Sequence, residues 1–81
     1  MNFYIDNNGW LAIEHNGSLF GKKPDQMKWY DDWENFKEIA CTGGLMPVSK
    51  EEVEEEAGVT FTELSEEEAK LKFDEYRADA S

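Results

Sequence analysis

Three features of the chain predict an α+β fold. Two Asn-Gly steps lie between apolar runs near the start, aromatics recur at helical spacing in the middle, and two Ser-x-x-Glu helix starts stand in the last third. Together they predict a small antiparallel β-meander of three or four strands, packed against one aromatic-rich helix, with two short acidic helices completing the domain. At 81 residues the chain has room for one domain, residues 1–81.

Residues 2–21 read as the meander. Phe3 to Ile5 is an apolar run ending in Asp6-Asn7-Asn8-Gly9. Trp10 to His15 follows, then Asn16-Gly17, then Ser18-Leu19-Phe20. Asn-Gly accepts the positive φ angles of a tight hairpin turn, so each step predicts a reversal between neighbouring strands. Gly21-Lys22-Lys23-Pro24 breaks the alternation, and a helix is expected over residues 25–42, with Pro24 to Tyr30 either extending it or forming an earlier turn. There Trp29, Trp33, Phe36 and Ala40 fall at i, i+4, i+7 and i+11. Asp31 is the expected cap, and Gly43-Gly44 the expected end.

A short acidic helix is expected over 49–57. Ser49 and Glu52 form a capping box, Val48 is placed to staple Val53, and Gly58 ends the segment. Residues 59–63, Val-Thr-Phe-Thr-Glu, alternate and are β-branched, which predicts a fourth strand at the sheet edge. Ser65 and Glu68 repeat the capping box and open a C-terminal helix over 65–78. Its apolar face is narrow (Ala69, Phe73, Tyr76), so loose docking and a frayed end are expected.

Charge divides the chain unevenly. Residues 49–81 carry a net −8 and residues 1–48 a net −3 of the total −11. Such a field repels nucleic acid and anionic membrane and attracts basic surfaces. Aromatics form 14% of the residues, enough packing surface to argue against a disordered chain. Cys41 is the only cysteine, so no internal disulfide forms, and the N-terminus has no basic region followed by an apolar stretch. The expected compartment is the cytoplasm.

The sequence is poor in catalytic groups. His15 is the single histidine, and its neighbour Glu14 points to the opposite face of a strand. Cys41 falls near a helix C-terminus, where the dipole disfavours a thiolate. One His and one Cys do not build a zinc site, and Asp6–Gly9 lacks the later ligands of a calcium loop. No phosphate-binding glycine loop is present. The expectation is no catalytic residue, no metal and no cofactor.

The acids themselves are the candidate interface. Glu51, Glu52, Glu54, Glu55 and Glu56 form one dense patch; Glu66, Glu67, Glu68, Asp74 and Glu75 form another. Helical carboxylates three or four residues apart lie about 5–6 Å from one another. That spacing is comparable to phosphates along a nucleic-acid strand, and it suits a groove lined by Lys and Arg. A solubilising surface is the bland alternative. Trp29 and Trp33, beside Asp31 and Asp32, form a second candidate: mostly core by their spacing, with an exposed Trp as an interface anchor.

The expected function is therefore a non-enzymatic acidic inhibitor or regulator, occupying the basic surface of a nucleic-acid-handling protein by imitating nucleic acid. In size, acidity and lack of catalytic motifs the chain resembles, as a type, the anti-restriction, anti-CRISPR and nuclease-inhibitor proteins of phages. The alternative is a protein–protein adaptor or phage assembly accessory acting through the Trp-rich helix. An enzyme with a carboxylate site ranks third.

Overall fold

Four strands form one antiparallel sheet: β1 (Asn2–Asp6), β2 (Leu11–His15), β3 (Ser18–Lys22) and β4 (Phe61–Leu64), in the order β3-β2-β1-β4. The structure, a computed structural model, describes residues 1–39 and 48–80. A 3-10 turn (Pro24–Trp29), α1 (Trp33–Ile39), α2 (Lys50–Ala57) and α3 (Glu66–Ala80) complete it. The expected strand over 59–63 begins two residues later and occupies the sheet edge beside β1.

Turn chemistry sets the register of the meander. Asp6 Oδ1 accepts the backbone N–H groups of Asn8 and Trp10, both at 2.8 Å, and Gly9 takes φ 84°. At the next reversal Asn16 (φ 53°) and Gly17 (φ 81°) are both left-handed, the conformation that a two-residue hairpin with right-twisted strands requires. Phe3 then stands opposite Ile13, and Ile13 opposite Phe20. This places Phe3, Leu11 and Ile13 on one face of the sheet.

Helical side chains cover that face. Met27, Tyr30, Trp33 and Phe36 meet Ala69 and Phe73 of α3 in a single core with Phe3, Leu11 and Ile13. The rings interlock: Phe36 lies 5.1 Å from Phe73, 5.5 Å from Trp33 and 5.0 Å edge-on from Tyr30. Each such pair adds about 0.5–1.5 kcal/mol beyond the area it buries.

Within the helical layer one open alternative is decided, and the cap of α1 and the docking of α3 differ from expectation. Of the two alternatives for Pro24 to Tyr30, the earlier turn forms: a 3-10 turn, then a break at Tyr30–Asp32, then α1; residues 40–42, Cys41 and the Gly43-Gly44 stop lie outside the described residues. Asp32, not Asp31, caps α1: Asp32 Oδ1 accepts from Asn35 N–H at 2.8 Å, while Asn35 Oδ1 accepts from Asp31 N–H at 3.0 Å. Finally, α3 docks firmly. Ala69 and Phe73 are wholly buried, and Tyr76 Oη donates to the Gly9 carbonyl at 2.7 Å. A narrow stripe suffices because Phe73 enters the aromatic cluster itself, and at 15 residues α3 is the longest element.

The opposite face carries Tyr4, Ala12, Leu19, Gly21 and Phe61. There α2 lies across the sheet, with Lys50 Nζ 5.2 Å from the Tyr4 ring centroid. No residue of α2 is fully buried, and a groove of ≈ 330 Å³ separates Val53 and Ala57 from Ala12, Leu19 and Phe61. No helix among the described residues is long and apolar enough to cross a membrane.

Candidate acidic interface

The ends of α2 follow from its sequence. Ser49 Oγ accepts from Glu52 N–H at 3.2 Å, and Gly58 ends the helix in the left-handed conformation, its N–H donating to the Glu54 carbonyl. One turn of helix then sorts the side chains. Lys50, Val53, Glu54 and Ala57 share the face toward the sheet, whereas Glu51, Glu52, Glu55 and Glu56 share the opposite one. Lys50 Nζ is 3.0 Å from Glu54 Oε1 on the inner side, and that contact raises the lysine pKa. All four outer glutamates are exposed and form no ion pair among the described residues.

Their placement opposes local stability. Glu51–Glu55 and Glu52–Glu56 are like-charge pairs at i, i+4, each costing about 0.2–0.5 kcal/mol. The last turn of α2 has no basic residue, so Glu55 and Glu56 also face the negative end of the helix dipole. Helix-start chemistry explains Glu51 and Glu52 but not these two.

The second predicted patch is largely engaged internally. Glu66 Oε2 accepts from Lys37 Nζ at 2.8 Å and from the Trp33 indole N–H at 3.1 Å; these bonds, the lysine first, hold its carboxyl below the ordinary range. Lys37 is in turn raised, chiefly by its bond to Glu66, and also pairs with Glu34 at 3.3 Å. Asp74 pairs with Lys70 at 3.3 Å and Glu75 with Lys72 at 3.7 Å. Glu68 and Ser65 complete a reciprocal capping box, at 3.1 and 3.2 Å. Of this group only Glu67 has neither an ion pair nor a capping role among the described residues.

The two tryptophans separate. Trp33 is 6% exposed and belongs to the core, so it offers no surface to a partner; its stack on Phe36 and its indole bond to Glu66 fix it there. Trp29, four residues earlier, is 67% exposed because the 3-10 turn breaks the helical phase that aligned them in the sequence. Asp31 is exposed at the break, and Asp32 is occupied as the cap. Glu63 of β4 is a further exposed carboxylate that the two clusters, read as helices, leave out; the alternation of residues 59–63 was its signal.

His15 is exposed at the β2–β3 turn, with Nε2 3.2 Å from Asn16 Nδ2. Glu14 receives the amide of Asn2 at 3.0 Å and the hydroxyl of Tyr4 at 3.4 Å. Burial, then the charge of Glu14 and Glu63, raises the Tyr4 pKa. Among the described residues, no three His, Cys, Asp or Glu side chains group so as to hold a metal ion. No protein-family model, curated protein or solved structure matches the chain.

Proposed function

We propose that the chain is a non-enzymatic acidic binding protein whose outer α2 face occupies a Lys/Arg-lined surface of a nucleic-acid-handling protein and so inhibits or regulates it. One observation carries this reading: Glu51, Glu52, Glu55 and Glu56 stand together, exposed and without an ion pair among the described residues, on a helix that their mutual repulsion weakens. A basic groove relieves that repulsion and gains fast, steered association. Phage anti-restriction and anti-CRISPR inhibitors, which the chain resembles in type, fall within this class, and the cytoplasm is its setting.

Charge reversal tests it. Glu52→Lys with Glu55→Lys removes partner retention while circular dichroism stays native. Trp29→Ala leaves retention intact. The opposite pattern favours the second reading, an adaptor anchored by Trp29, which its 67% exposure supports.

A further inference from the structure

The two edges of the sheet differ. At the β3 edge the N–H of Leu19 donates to the Val48 carbonyl at 2.8 Å, so that edge is engaged there. The β4 edge is open, and the ladder tells which groups face outward. Asp6 N–H donates to the Trp10 carbonyl, so Asn2, Tyr4 and Asp6 turn their backbones toward β2, and Phe3 and Ile5 turn theirs toward β4. The β4 partners of Phe3 and Ile5 are Leu64 and Thr62. Thr60 N–H also points inward, donating to Asn7 Oδ1 at 3.2 Å. The N–H and C=O groups of Phe61 and Glu63 therefore point away from the sheet, and no described residue bonds to them.

Charge says what fits this edge. Glu63 is exposed on the strand itself, the outer glutamates of α2 precede it, and Glu67 follows it on the first turn of α3. We infer that the open edge of β4 receives an extended Lys/Arg-rich protein segment as a fifth strand. Its backbone bonds to Phe61 and Glu63, and its cations meet Glu63 and the acidic segments that flank the strand in sequence. A second copy of the chain is the wrong occupant: β4–β4 pairing brings together two edges that each carry Glu63 and acidic flanking segments, with −11 on each chain. The inference rests on the acidic-binding reading and gives the basic partner a form.

Amide hydrogen exchange of the full chain, read residue by residue by NMR, tests the inference. The probe is a peptide of alternating Lys and Val, about eight residues long, beside the same peptide N-methylated throughout. N-methylation keeps every charge and removes every backbone donor. The unmodified peptide is expected to slow exchange at Phe61 and Glu63 by about tenfold or more, and the methylated one to bind about tenfold more weakly. Equal binding of both peptides, with Phe61 and Glu63 unchanged, overturns the strand while leaving the acidic reading in place. Failure of the unmodified peptide to bind also overturns it, as does protection of these amides that grows with protein concentration in the absence of peptide. The charge-reversal experiment judges the acidic reading separately.

Discussion

Glu66 joins the helical layer to its own charge balance. Its carboxylate holds both Lys37 and the Trp33 indole, tying α3 to α1 at the rim of the core. Because its folded pKa lies below the ordinary value of 4.5, its stabilisation is present above that value and is lost as pH falls through the folded pKa. Lys37 is raised above 10.5, so its share is present at neutral pH and is lost only as pH rises through its folded pKa. Glu66→Gln should therefore lower the melting temperature at neutral pH, with the difference shrinking in acid melts. A difference that persists in strong acid contradicts this assignment. Phe73→Ala removes the ring that Trp33 and Phe36 both pack against and should cost about 3–5 kcal/mol. Since a chain of this size has only about 4–12 kcal/mol to lose, a sharply lowered or absent thermal transition is the expected result. At this scale the sequence told less than its spacing promised. Trp29 and Trp33 share a helical phase on paper, but a helix must be continuous for phase to mean a common face. The break at Tyr30–Asp32 exposes one ring and buries the other.

Elements were more legible than residues, since caps and turns are local chemistry. Asn16-Gly17, Ser49, Gly58 and the Ser65–Glu68 box each act where their residue types place them. Docking was not legible: the stripe of α3 reads as narrow because sequence does not show Phe73 meeting Trp33 and Phe36. The acidic clusters also look equivalent in sequence, and only the positions of Lys37, Lys70 and Lys72 show that Glu66, Asp74 and Glu75 are paired while, among the described residues, the outer α2 acids form no ion pair. The strain in α2 is measurable. Glu55→Lys and Glu56→Lys together replace repulsion with an i, i+4 attraction and complement the dipole, so they should stabilise the fold by about 0.5–1 kcal/mol. The same pair should weaken partner binding, and a variant that is both less stable and fully competent refutes the trade-off. With no fully buried residue and a groove beneath it, α2 should exchange its amides by local opening, far faster than the turn of α3 around Phe73. Equal protection in the two helices contradicts that ordering.

At the scale of the molecule, the fold faces the sheet's two sides with different layers. One side builds the aromatic core from the 3-10 turn, α1 and α3. The other carries α2, held by its ends and by Lys50 on Tyr4, with its carboxylates outward. The helical layer supplies stability and leaves α2 free to carry charge that the fold does not need. Net charge then gives salt two opposed effects: screening relieves self-repulsion within the chain and would weaken attraction to the basic partner proposed above. The most direct test of the acidic-interface claim is affinity capture with tagged protein from cell lysate, washed across a salt series and with added duplex DNA or RNA, and read by mass spectrometry. The expected result is a nucleic-acid-handling protein that is retained at low salt, released as salt rises, and displaced by the added nucleic acid. A partner that withstands high salt, ignores the nucleic acid and is lost on Trp29→Ala contradicts it.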